Sequence, residues 1–184
     1  MERQKFKQVL QNLEKANYTP VLVGGLALTL FGSDRVTFDT DIVIPSIKDL
    51  AAAKLLTNAM HKADFYYVYK LDDTGAPTDW ITNVNIAASR IIIDNPVTLF
   101  FWNPDLEMKI DILLDFPLKT SALLATAEDK MLDKTTIIKV ASLKNLKKMK
   151  EIAFKNRKKS TDAQDLEFIA KIMKSKRKNK SKEL

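Results

Sequence analysis

The sequence predicts an α/β (α+β) fold: a mixed sheet flanked by helices, followed by a helical C-terminal region. Two observations carry this expectation. Apolar runs of strand length at 21–23, 39–44, 65–71, 97–102 and 107–114 are separated by turn-forming Gly, Pro, Asn and Asp. Apolar residues at helical spacing open the chain and return after Ser142. On this reading residues 1–117 form the core, 118–173 a mainly helical region, and 174–184 a basic tail without an apolar face, expected to be disordered.

Taken in order, residues 2–15 read as a helix with Phe6, Val9, Leu10 and Leu13 on one face. After Pro20, Val21-Leu22-Val23 is a short strand, and Gly24-Gly25 lead into a short helix over 26–31 that Gly32 stops. Asp39–Ile44 is the second strand. Ser46 with Asp49 is expected to cap a helix running to about Lys62 as a capping box. Phe65–Leu71 reads as a strand and 72–77 as a loop. The stretch that follows, to residue 94, has no clear period. Val97–Trp102 and Glu107–Leu114 are strands joined at Asn103-Pro104-Asp105, and a helix is expected over 119–131 before a strand at Thr135–Val140. Leu143, Leu146, Met149 and Ile152 repeat at helical spacing. Thr161 with Gln164 suggests a second capping box before the last helix.

Composition narrows the chemistry. A hydrophobic fraction of 46% suits a chain with a buried core. There is no cysteine, so thiolate zinc sites, disulfides and cysteine nucleophiles are excluded. The single histidine, His61, ends an alanine-rich helical stretch, which suits a helix-end role better than a triad. No apolar run reaches the roughly 18 residues of a membrane span, and the charged N-terminus lacks a signal peptide's apolar centre. A cytoplasmic protein with no membrane partner is the expectation. The net charge of +7 is uneven: residues 144–184 hold 15 basic and 5 acidic side chains, a surface suited to phosphate or nucleic acid.

The segment VLVGGLALTLFGSDRVTFDTDIVI carries the chemistry. Asp39 and Asp41 alternate onto one face of a strand. Two such carboxylates repel unless a cation or a proton lies between them. A hard divalent ion with oxygen ligands, Mg²⁺, fits. Asp111 sits in a strand, Met108–Leu114, that is otherwise apolar except for Lys109, an expensive position for an unpaired charge. If the two strands are neighbours, three carboxylates converge, enough for two metals and in-line phosphoryl transfer. Gly24 and Gly25 allow backbone to approach phosphate ahead of a helix N-terminus, and Arg35 and Thr37 share the parity of the two aspartates. Each feature alone is common; their order and their placement on strands point to nucleotide chemistry. The P-loop and the Rossmann fingerprint are both absent.

These residues resemble the polymerase-beta-like nucleotidyltransferase superfamily: Val23-Gly24-Gly25, thirteen residues, Asp39-Thr40-Asp41, and a third carboxylate, Asp111, on a later strand. They are most similar to bacterial AbiEii-type abortive-infection nucleotidyltransferase toxins through Gly24, Gly25, Ala27, Gly32, Arg35, Thr37, Asp39 and Asp41. Val140-Ala141-Ser142, Leu146 and Lys150 fit a second element, and Arg157, Lys159, Asp162 and Asp165 resemble a third. The resemblance implies a nucleotidyltransferase fold, with the helical region completing the nucleotide cleft. It implies transfer of NMP from an NTP by Asp39, Asp41 and Asp111 as catalytic and metal-binding residues. Nucleotide binding falls to Gly24, Gly25, Ser33, Arg35, Thr37, Lys150 and Arg157. It further implies RNA, such as a tRNA 3′ end, as acceptor, a toxin role in a toxin–antitoxin or phage-defence system, and a cognate antitoxin as partner. The residues themselves leave the acceptor open between RNA, a protein hydroxyl and a small molecule. They also leave room for a catalytically silent binding module, although all three carboxylates are present.

Overall fold

The computed structural model describes residues 2–37 and 39–180. Its frame is one eight-stranded mixed sheet in the order β4-β3-β5-β6-β2-β1-β8-β7. The strands are β1 (Val21–Val23), β2 (Thr40–Ile44), β3 (Tyr66–Leu71), β4 (Pro77–Ile81), β5 (Thr98–Asn103), β6 (Met108–Leu114), β7 (Glu128–Asp133) and β8 (Thr136–Val140). The helices are α1 (Glu2–Lys15), α2 (Gly24–Thr29), α3 (Leu50–His61), α4 (Val84–Asp94), α5 (Thr120–Leu124), α6 (Leu143–Arg157) and α7 (Ser160–Lys180). None is both long and apolar enough to cross a membrane.

Burial alternates along β5 and β6. On β5 and β6, Leu99, Phe101, Ile110 and Ile112 are fully buried, whereas Thr98, Phe100, Lys109, Asp111 and Leu113 on the other face are only partly so. The buried face joins one core with Phe6, Val9, Leu10 and Leu13 of α1, Leu56 and Met60 of α3, and Ala87, Ala88 and Ile91 of α4. Asn12 donates to the Ala59 carbonyl at 3.0 Å and Gln8 to the Lys62 carbonyl at 2.7 Å, which fixes α1 along α3. His61 ends α3, its ring edge-on to Tyr66 at 5.0 Å; burial lowers its pKa.

Several expectations need correction. Ser46 does not cap α3: its backbone N–H and its hydroxyl both reach Asp115 Oδ2 at 3.1 Å, and Asp49 alone caps the helix, accepting from Ala52 N at 2.8 Å. The helix expected over 119–131 is the short α5 followed by β7. Burial alternates along β7, but its sequence Glu-Asp-Lys-Met-Leu-Asp hides the period because charged residues stand on both faces of this edge strand, where they discourage further pairing. The sheet also continues past residue 117, because β8 pairs in parallel with β1 and β7 pairs with β8. Thr161 lies inside α7, which starts at Ser160 just after Lys158 ends α6 in a left-handed conformation (φ 51°). α7 continues to Lys180, past the boundary expected at Lys174. Lysine is a good helix former once a helix is nucleated, and the Lys176 ammonium lies 5.5 Å from the centre of the Phe31 ring. The last four residues of the expected tail lie outside the described residues.

Candidate active site

Parallel pairing of β2 with β6 sets Asp41 directly beside Asp111, with Thr40 opposite Ile110. One step earlier, Asp39 stands level with Lys109. Asp41 also pairs across to Val23, the last residue of β1, so the turn into α2 begins against its side chain. A Cβ on Gly24 would lie 1.9 Å from Asp41 Oδ2, and Gly24 has φ +69°. Only glycine satisfies both conditions. Gly25 is backed by Thr37, whose hydroxyl would lie 2.8 Å from an added Cβ and itself donates to the Asp39 carbonyl at 3.4 Å. Ser33 faces the loop rather than the sheet, its hydroxyl accepting from Arg35 N at 3.3 Å.

The electrostatics single out two carboxyls. Burial, and then the neighbouring Asp39, raise the Asp41 pKa to about 6, against opposing pull from Lys150, Lys109 and Arg157. Burial raises Asp111 to about 7, with Lys109 opposing and Asp41 and Asp39 adding to the rise. Asp111 Oδ1 is buried with no hydrogen-bond partner. Its Oδ2 is 3.4 Å from Lys109 Nζ, which is also 3.7 Å from Asp39 Oδ1. Among the described residues, no three carboxylate or imidazole groups stand close enough to enclose an ion as arranged. Asp41 and Asp111 are brought together, and Asp39, 60% exposed, is joined to them through Lys109.

Lys150 and Arg157 reach the site from α6, but neither is free. Lys150 Nζ lies 2.7 Å from Asp165 and 3.3 Å from Asp162. Arg157 grips Asp162 with two bonds, at 2.7 and 2.8 Å. Arg35 pairs with Asp165 as well, so it ties the loop before β2 to α7. Asp162 and Asp165 are buried, and three cations surround these two carboxylates, leaving one unit of positive charge beside the cleft. A carboxylate this deep is tolerated only when fully paired.

A cleft of about 370 Å³ gathers Gly24, Asp41, Asp111, Lys150 and Arg157 with Phe100 and Phe116. Thr37 and Asp39 line a different cavity, of about 290 Å³, beside α1. The structure thus brings together five of the residues singled out from sequence. Gly25, Ser33, Arg35 and Thr37 shape the loop behind them.

Sequence reasoning passed over Lys109 as a site residue. Its signal was present: a lysine two residues before Asp111 must share the face of that aspartate. Asp165 stands out in sequence only as part of a pattern; its partners come from elements far apart in the chain.

The raised carboxyl pKa values predict a pH effect. Both groups hold protons more tightly when folded than at their ordinary value of 3.8. Their contribution to stability therefore falls as pH rises from about 4 to about 7, and the loss is complete above that. Ion-free Asp111→Asn is expected to melt above the parent chain at pH 8 and close to it at pH 4. A melting difference independent of pH would show that Asp111 titrates normally.

No family model matches the chain, and no curated protein matches it. Solved structures do share its architecture. The chain is similar to the antibiotic-resistance factor ANT(2'')-Ia, at 9% identity over 98% of this chain and 93% of that one (TM-score 0.58). It is similar to an antigenic nucleotidyltransferase-like protein from Paracoccidioides brasiliensis, at 18% identity over 92% and 76% (TM-score 0.55). It is also similar to the lincomycin-bound lincosamide antibiotic adenylyltransferase LnuA, at 12% identity over 92% and 96% (TM-score 0.54). The chain has the nucleotidyltransferase fold.

Proposed function

We propose that this protein transfers NMP from an NTP to a hydroxyl acceptor with a divalent ion, Mg²⁺, held by Asp41 and Asp111, with Asp39 beside them as the third carboxylate. The observation that carries the reading is the pair Asp41–Asp111, side by side on adjacent strands under a glycine whose bare backbone leaves room for the carboxylate. The residues suit a hard cation: the donors are all oxygen, and Asp111 Oδ1 is buried without a partner. When bound, the ion neutralises charge on the phosphates and the carboxylates.

The chain's own groups account for the rest. The cleft wall formed by Lys150 and Arg157, net positive with its buried aspartates, faces the triphosphate. Gly24 lets the phosphates approach the start of α2. The acceptor oxygen bonds to the α-phosphorus, the bond from that phosphorus to the bridging oxygen breaks, and pyrophosphate leaves. Asp111, beside Asp41 in the cleft, is the group suited to take the hydroxyl proton.

RNA is the acceptor class we favour. The support is the basic C-terminal region, since α6 lines the cleft and most of the excess positive charge follows Lys144. The toxin role and a cognate antitoxin rest on the AbiEii-like motif residues alone. The test is incubation with Mg²⁺, each α-labelled NTP and total tRNA. Label on RNA is the expected result, with transfer falling steeply as salt rises. Label on the protein or on a small molecule would replace RNA as the acceptor, and no transfer to any acceptor would overturn the enzyme reading.

A further inference from the structure

Lys109 occupies an unusual place for a surface lysine. Alternation on β6 puts it on the same face as Asp111, and the parallel register, carried one residue back from Thr40, puts it level with Asp39 just before β2. Its ammonium lies between the two carboxylates, 3.4 Å from Asp111 Oδ2 and 3.7 Å from Asp39 Oδ1. Below it lies the ring of Phe100, the residue paired with Asp111 on β5, with the ammonium 5.3 Å from the ring centre. A cation over an aromatic face is held there by the ring quadrupole. The side chain is only 17% exposed, so the charge is lodged rather than swinging in solvent.

The carboxylate array is therefore divided. Asp39 and one oxygen of Asp111 face a resident positive charge. Asp41 has no ion-pair partner among the described residues, and the other oxygen of Asp111 is buried and unpartnered. A second ion bridging Asp39 and Asp111 would have to expel an ammonium packed on Phe100.

We propose that Lys109 replaces one of the two divalent ions that three such carboxylates would otherwise share, so that the nucleotide-bound protein holds a single divalent ion. This rests on the nucleotidyl-transfer reading above and goes beyond it, because the number of ions is set by one side chain.

The experiment counts Mn²⁺ retained per protein at saturating α,β-methylene NTP, by spin resonance of the free ion, corrected for ion held by free analogue. The analogue lacks the bridging oxygen at which the bond breaks, so the complex persists. One Mn²⁺ per parent chain is expected, rising to two in Lys109→Met. Lys109→Gln provides the same count should the methionine variant fail to fold, as judged by its melting curve. Two ions in the parent chain would overturn the role of Lys109 while leaving nucleotidyl transfer standing. One ion in a folded variant would do the same. Retention of neither ion nor analogue would overturn both.

Discussion

Asp41→Asn is expected to lower NMP transfer by about 10³-fold or more, roughly 4 kcal/mol of transition-state stabilisation, while leaving the fold intact. Asp41 sits at the junction of three elements: beside Asp111 on β6, beside Val23 on β1 and against Gly24 of α2. It is the carboxylate that faces both the Gly24 turn and the cleft. Asparagine keeps the shape and removes the charge, so the ion loses a ligand oxygen that carries negative charge. The same change removes a carboxyl whose ionisation is opposed by burial. Without ion, the variant is therefore expected to be as stable as the parent chain or more so at pH 8. Labelled-NTP turnover and urea unfolding of the ion-free chains test the two halves separately. Full turnover in Asp41→Asn would remove the catalytic assignment. A large loss of stability would mean that the carboxylate holds the fold together instead.

The second large effect is expected at Gly24. In Gly24→Ala the new methyl meets Asp41 Oδ2 at 1.9 Å and Cγ at 2.7 Å, so the carboxylate must leave its position. The left-handed backbone at φ +69° adds a strain of about 1 kcal/mol or more for any residue with a Cβ. Transfer should fall nearly as far as in Asp41→Asn, and stability should fall with it. Gly32 supplies the control: it is also left-handed, at φ +93°, but has nothing within 4 Å of an added Cβ. Gly32→Ala should therefore show the backbone cost alone and keep most of the activity. Comparing the two variants by turnover and melting temperature isolates the displacement of Asp41 from general strain. Equal activity losses would mean that the loop, and not the carboxylate, is what the glycines protect.

Legibility in the sequence followed the range of the interactions. α1, β1, β3, β5, β6, β8 and α6 announce themselves because each buries an apolar stripe or run within a few residues of chain. No sequence period marks α4 although Asn83 caps it, accepting from Asn85 N and Ile86 N. Its Ile91-Ile92-Ile93 run is β-branched, and such residues form helix only when packing favours it. β4 begins at Pro77 and carries only a bulged pairing to β3, so neither period nor propensity marks it. β7 reads as helix from sequence because charged residues stand on both faces of this edge strand and mask its period of two.

The site divides the same way. Asp39, Asp41, Gly24 and Asp111 were legible because strand parity and the cost of an isolated charge are local properties. That Asp41 stands beside Asp111 was not. Strand order and register are chosen by which apolar faces can be buried together, and that choice spans about seventy residues between β2 and β6. Arg35 reads from sequence as a phosphate contact or a brace for the loop before the aspartates, and Lys150 is assigned to the triphosphate only through the family resemblance. Folding brings both to Asp165, where a buried carboxylate demands partners and takes them from whichever elements arrive. The sequence by itself determined the chemical groups, their faces on each strand and the glycine that admits a carboxylate. The tertiary structure alone decided which charges meet, because Coulomb attraction and desolvation depend on distances that no local spacing sets.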